Sequence, residues 1–426
     1  MAERVKRRRL NPGSRSATEN GTEETVRYFT NPPLAALTEA EKSKWNGFCE
    51  IESEPALFNV MLREFGVKGV KVQEVVSLDD EMLQYIHKPI YGLIFLFRWK
   101  EDDPRKQEQS CPEGLWFANQ TSNNACASVA LLNIINNIPD IDLGEHLRQF
   151  KEFTMSFTPA LRGDAIANFE FVKRVHNSFA RKMDVLNIDL QLKNEASERK
   201  VQGASSKNTA YDESEAGFHF IAFVPVNGKV WKFDGLERQP QSLGTYDGDD
   251  WLKVARPDIL ARMAAYEEDQ IEFSILSLVR EPLLDLVPRL ASNVKSILAI
   301  DERLSAMGIA EAEIKAATDG DDGTLYGPDG SFDLTQETLD GASVPEDESS
   351  RYEAATREEL LGYRRELVEA QRGLRASIKE EQQSYRADED YAASRRHDYG
   401  PAIHQWIKTL ARKGLLQTLV QEIGGA

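Results

Sequence analysis

Residues 119–135, "NQTSNNACASVALLNII", set Cys126 directly behind two asparagines and ahead of an apolar run. Asn123 and Asn124 are expected to cap a helix over 124–137, because their side chains can accept from unpaired first-turn amides. Cys126 then falls in the first turn, where free amides and the helix dipole favour a thiolate. The thiolate is the nucleophilic form in acyl transfer. A free cysteine is also among the most buried residue types, so this segment alone leaves two readings open, core hydrophobe or nucleophile.

A second stretch bears on that choice. In "FHFIAFVPVNGKVWKFDGL" (218–236) the pair Asn227-Gly228 predicts a two-residue hairpin turn. If Val226 pairs with Lys229, His219 faces Leu236 and Asp234 faces Ile221. His219 and Asp234 then share a face as diagonal neighbours, with Cβ atoms about 7 Å apart or less. A carboxylate there would fix the imidazole tautomer and stabilise its cation while the ring activates a nucleophile. The alternative is a chance polar pair on a solvated face. Phe220, Phe223, Trp231 and Phe233 argue for burial, where unpaired polar groups are costly. Gln120, upstream of the helix, is either a loop residue or an amide donor to a developing oxyanion. His87, His146, His176, His397 and His404 have no Asp set opposite them by a predicted hairpin.

The elements that must position these residues read as an α/β fold. "YGLIFLFRW" (91–99) is a nearly continuous apolar run, as expected of a central strand covered on both faces. Helices are expected over 54–65, 124–137 and 164–182, and strands in "FHFIAFVPV", "KVWKFDG" and "IEFSILSLV". The polar stretch 187–217 lacks periodicity and reads as a functional crossing loop or as disorder. Domain boundaries are expected as a disordered basic arm over 1–44, a folded domain over 45–280 and a helical extension over 281–318. An acidic disordered linker over 319–350 follows, with ten carboxylates and no Lys or Arg. Next comes a long helix over 351–390, where Leu360, Leu367 and Leu374 recur every seven residues. That row suits a short coiled coil or an amphipathic helix packed on its own domain. A helical module over 391–426 ends the sequence. Its Ile403, Trp406, Ile407 and Leu410 form one apolar face, and Leu416 and Leu419 belong to a second, so this module is expected to need a partner surface.

Composition bounds the rest. A chain of 426 residues with 41% apolar side chains can bury a sizeable core. Its three cysteines form no CxxC pair and fit a reducing compartment. No apolar stretch approaches the roughly 20 residues of a membrane span, and the basic start lacks the apolar region of a secretory signal. A net charge of −18 argues against general nucleic-acid binding. No His, Cys and carboxylate cluster has zinc-ligand spacing. The run Lys6–Arg9 reads as a solvated tail or a nuclear import signal.

Taken together, "CEIESEPALFNVMLREFGVKGVKVQEV", "YGLIFLFRW", "NQTSNNACASVALL", "VHNSFAR" and "FHFIAFVPVNGKVWKFDGL" resemble the ubiquitin C-terminal hydrolase family of papain-like cysteine peptidases. The resemblance covers most of residues 45–280. It implies an α+β domain with a central, mainly antiparallel sheet flanked by helices, a knotted backbone and a C-terminal helical extension. It implies a deubiquitinating thiol hydrolase, with ubiquitin and its conjugates as partners and no cofactor. Cys126 would be the nucleophile, His219 the general base and then acid, Asp234 the group orienting His219, and Gln120 the oxyanion donor. Residues 187–217 would be the crossover loop under which ubiquitin's tail threads; the separation of Cys126 and His219 is longer than the family's usual one.

"RRHDYGPAIHQWIKTLARKGLLQTLVQ" resembles a module shared by two long members of that family. One is proteasome-associated and docks a ubiquitin-receptor subunit; the other is chromatin-associated, working with an adaptor to deubiquitinate a histone. "VHNSFAR" and the length lean towards the former, and "VQEIGGA" replaces the long basic tail of chromatin-type animal members. Residence in nucleus and cytoplasm is expected.

Overall fold

The computed structural model describes residues 35–100, 102–201, 217–248, 250–264, 273–316, 323–416 and 420. The basic run at 6–9, most of the arm over 1–44 and Leu419 lie outside the described residues. The elements that matter here are α1 (Pro55–Phe65), β1 (Val70–Glu74), β2 (Ile90–Arg98), α2 (Cys126–Ile135), α3 (Pro159–Ala167), α4 (Glu170–Asn177) and α5 (Lys182–Val201). They continue with β3 (Phe218–Val226), β4 (Lys229–Phe233), β5 (Gln241–Thr245) and β6 (Ser274–Arg280). The extension comprises α6 (Leu283–Ala306), α7 (Gln336–Gly341), α8 (Glu346–Ala354), α9 (Arg357–Arg396) and α10 (Gly400–Arg412).

The six strands form one sheet in the order β1-β6-β2-β3-β4-β5, with every pairing antiparallel. β2 lies inside it, which is why its sequence is a solid apolar run. Ile94 packs on one face with α1 and α2, while Leu93, Phe95 and Phe97 pack on the other with Trp251, Leu252 and Ile259. Each fully buried side chain of this kind contributes about 1.5–3 kcal/mol. Two cores therefore clamp the strands that carry the candidate residues.

The expected helix over 164–182 is two helices. α3 starts earlier, at Pro159 behind Thr158, and ends where the Asn168 side chain donates to Asp164 O over 2.7 Å. Phe169 is extended and stacks on Phe150 with ring centroids 4.5 Å apart. Aromatic packing outweighs continuation of the helix there. The stretch 187–217 also differs from a structureless loop, since α5 runs as far as Val201; residues 202–216 lie outside the described residues.

The acidic stretch 319–350 is not a disordered linker over its described part, 323–350. Leu334 and Leu339 are buried against Leu290, Val294 and Ile378. Gln371, fully buried, accepts from Leu325 N over 2.7 Å and donates back to Leu325 O over 3.2 Å. Lys379 donates to Ser331 O and lies 4.7 Å from the Phe332 ring centroid. A few leucine anchors and the bases of α9 offset the repulsion of the carboxylates. The Leu360, Leu367 and Leu374 row faces the α6 side of this same chain, with Leu360 beside Ile300 and Leu304.

The other half of α9 belongs to the core beneath the sheet. Ala392 is fully buried in it. Arg395 donates to Glu52 at 2.7 Å, to Phe179 O at 2.8 Å and to Asp184 at 3.1 Å. Asp398 accepts from Lys182 N over 3.1 Å. The expected boundary at 391 is thus displaced, and the free module begins at α10.

Candidate active site

Cys126 is the first residue of α2, as expected, but the asparagine cap is not formed. The N-cap is Ala125, without a side-chain hydrogen bond. Asn124 instead takes a left-handed φ of 60°, a conformation asparagine tolerates better than most residues. The first-turn amides around the thiol are consequently not spent on a side-chain cap. The other two cysteines are controlled by burial. It pushes Cys49 up to about 12, and it raises Cys111 although Arg162 partly counters it. Cys126 is only partly buried.

The hairpin forms in the expected register, with Val226 opposite Lys229 and Ala222 opposite Phe233. Asn227 and Gly228 both have positive φ, 51° and 73°, the pair a tight turn of this kind requires. Asp234, just past β4, receives His219 Nε2–H over 2.7 Å and Leu236 N–H over 2.9 Å. Both side chains are almost wholly buried. That bond fixes the tautomer and leaves Nδ1 unengaged by Asp234, and the nearby Cys126 sulfur favours the charged form of the ring. Burial alone would lower the imidazole pKa; the Asp234 carboxylate, aided by Cys126, outweighs it and holds His219 at about 9. Burial likewise opposes ionisation of Asp234, yet His219, the Leu236 amide and Lys232 hold its carboxyl below the usual range. The geometry suits a thiolate–imidazolium couple oriented by a carboxylate.

Gln120 lies beside this pair. Its backbone N–H donates to Gly235 O over 2.8 Å. Gly235 eases that approach, because a Cβ there would crowd Gln120 at 3.0 Å from its Cβ and 3.1 Å from its N. Gln120 Oε1 is buried without a hydrogen-bond partner.

Residues absent from the sequence reading hold Gln120 in place. Asn133 of α2 accepts from Ala118 N over 2.8 Å and donates to Ala118 O over 3.2 Å. Asn137 does the same with Trp116, at 3.0 and 2.6 Å. Arg162, buried on α3, donates to the carbonyls of Leu115, Phe117, Thr154 and Met155. The helix bearing the thiol and the extended segment bearing Gln120 are thereby tied together. Two asparagines spaced i, i+4 in an apolar helix were the available signal, since buried amides must find partners.

His176 is a structural histidine. Ser128 Oγ–H donates to its Nδ1 over 2.8 Å and its Nε2–H donates to Cys49 O over 2.7 Å. The Ser128 bond as donated needs the neutral ring, and burial pushes the pKa down to about 4 although the Cys49 carbonyl opposes it. Among the described residues no group of three or more His, Cys, Asp or Glu could hold a metal ion, and no described helix is long and apolar enough to cross a membrane.

The family model for ubiquitin carboxyl-terminal hydrolase, family 1 matches residues 48–264, and the chain belongs to that family of cysteine-type deubiquitinases. Over 380 residues it is 32% identical to ubiquitin carboxyl-terminal hydrolase isozyme L5 of Dictyostelium discoideum, spanning 89% of this chain and 96% of that protein. It is 38% identical over 235 residues to ubiquitin carboxyl-terminal hydrolase ubh-4 of Caenorhabditis elegans, 54% of this chain and 66% of that protein. Among solved structures, Trichinella spiralis UCH37 bound to ubiquitin vinyl methyl ester is similar with a TM-score of 0.45 and 31% identity, over 64% of this chain and 93% of that one.

Proposed function

We propose that this enzyme cleaves the bond after ubiquitin's C-terminal glycine, with Cys126 as nucleophile, His219 as general base and acid, Asp234 as its orienting carboxylate and Gln120 as oxyanion donor. The observation that carries this reading is the 2.7 Å His219–Asp234 bond, which leaves the ring's other nitrogen for Cys126. The Cys126 sulfur, its proton already taken up by His219, attacks the carbonyl carbon. The carbonyl oxygen gains the charge, which Gln120 and the uncapped α2 amides stabilise. The C–N bond then breaks, and His219 gives its proton to the departing amine. Water, deprotonated by His219, attacks the thioester and returns the thiol. No cofactor enters.

A fluorogenic ubiquitin C-terminal amide is expected to be turned over by the wild type and not by Cys126→Ala. A ubiquitin suicide probe should label Cys126. Turnover retained in Cys126→Ala would remove Cys126 from the mechanism.

We infer further that α10 recruits the enzyme to an assembly. Trp406 is 64% exposed and Ile403 and Ile407 beside it are also exposed, an apolar stripe on a helix outside the core. Leu410 and Leu416 are half-buried. The module's resemblance to that of the proteasome-associated member favours a proteasomal ubiquitin-receptor subunit, and the basic run at 6–9 favours residence in nucleus as well as cytoplasm. Titration of the full chain with that subunit should give saturable binding that Trp406→Ala weakens. Binding to a chromatin adaptor instead would move the assignment to histone deubiquitination.

A further inference from the structure

Behind the His219–Asp234 pair the sheet buries a second set of charges that acyl transfer does not itself demand. Lys232 lies in β4, two residues before Asp234, which follows the end of the strand. Lys232 is only 3% exposed. Its ammonium is bonded to the Asp102 carboxylate, which also receives Arg262 from the helix Leu252–Ala264. Arg262 in turn donates to Asp258 over 3.2 Å and lies 5.2 Å from the centroid of Phe97. Phe97 is the cross-strand partner of His219 and meets its ring edge-on. Glu237 completes the set; its carboxylate accepts from Asp102 N at 3.4 Å and from Gln107.

Three carboxylates, Asp102, Asp234 and Glu237, therefore crowd one buried corner with two cations. The groups around the His219–Asp234 pair are Cys126 from α2, Lys232 and Glu237 from β4 and the turn after it, and the uncharged Phe97 from β2. Burial raises the Glu237 carboxyl, Asp234 and Asp102 raise it further, and Lys232 opposes them. Lys232 also favours the ionised form of Asp234.

We propose that Lys232 and Asp102 are positioning residues for the reaction: this buried ion pair sets the charge felt from behind by His219 and Asp234, and so fixes the pH window in which the thiol–imidazole couple works. The proposal rests on the Cys126–His219–Asp234 reading. Removing a cation near an acid makes its proton harder to lose, and removing an anion makes it easier. Lys232→Met should thus move both limbs of the kcat/KM–pH profile to higher pH by about 0.5–1 unit. Asp102→Asn should move both to lower pH, and the double variant K232M/D102N should return them towards the wild type.

The test is the kcat/KM–pH profile of the full chain on a fluorogenic ubiquitin amide, with circular dichroism of each variant to verify folding. Opposed shifts that cancel in the double variant are expected. Limbs unmoved, or moved the same way by both single changes, overturn the proposal, because packing damage lowers rates without opposite shifts of pH. If Lys232→Met does not fold, Asp102→Asn alone decides by the sign of its shift. A profile that survives Cys126→Ala would instead defeat the underlying assignment of the nucleophile.

Discussion

Asn133 and Ala118 exchange two hydrogen bonds, so that a side-chain amide on α2 closes onto a backbone peptide as a neighbouring strand would. Asn133→Ala leaves that peptide's N–H and C=O buried and unpaired. The expected loss is about 2–4 kcal/mol, read from the midpoint of urea unfolding. Because Gln120 is two residues further on, turnover of a ubiquitin amide should fall more than labelling of Cys126 by a small thiol reagent.

Asp234→Asn removes the counter-charge of His219 and should lower kcat by about 10²–10⁴-fold. Its stability signature has a definite sign. His219 is held at about 9 rather than its ordinary 6.5, so the stabilisation is complete below about pH 6.5 and is lost as pH rises through 9. In the variant, burial dominates and this alkaline loss disappears. Urea unfolding from pH 6 to 10 should show the gap between the two proteins widest at the acidic end.

His176 titrates with the opposite sign. Its pKa is depressed to about 4, so its contribution is present above about pH 6.5 and fades as pH falls towards 4. His176→Gln is expected to cost about 1–3 kcal/mol at pH 7 by leaving Ser128 or Cys49 unsatisfied. The gap to the wild type should narrow on acidification, measured by thermal unfolding between pH 7 and 4.

Where the chain is cut matters by a few residues. A protein ending at Tyr399 keeps Ala392, Arg395 and Asp398 and should turn over small ubiquitin adducts normally while losing capture by α10. One ending at Asp390 loses the buried arginine and leaves Glu52, Phe179 O and Asp184 without it, and should unfold at clearly lower temperature. Arg395→Ala isolates the effect, with an expected cost of about 2–4 kcal/mol, below the fully buried range because Glu52 and Asp184 are partly solvated.

Much of the site was legible because its signals are local. Asn227-Gly228 dictates the turn, the turn dictates the register, and the register sets His219 beside Asp234. The apolar run after Cys126 marked its helix, though not the residue that starts it: both asparagines suited a cap, and the left-handed Asn124 used the same chemistry to turn the chain instead. What could not be read were contacts spanning long separations. Lys232 meets Asp102 from 130 residues away, and Arg395 meets Glu52 from 343, and no periodicity encodes such pairings. The stretch 323–350 misled because composition averages over a segment, whereas folding here depends on a few leucines and the glutamine that pairs with Leu325.

The helix Arg357–Arg396 has 40 residues and so runs for about 60 Å. It contains no proline, and its two glycines, Gly362 and Gly373, both precede the residues that touch the hydrolase core. One end is bolted to α6 through Arg364 and Gln371, the other to the core through Ala392 and Arg395. A beam fixed at both ends leaves no joint between the lobes. Whatever docks on α10 attaches just past the end of a splint that also carries the thiol's lobe.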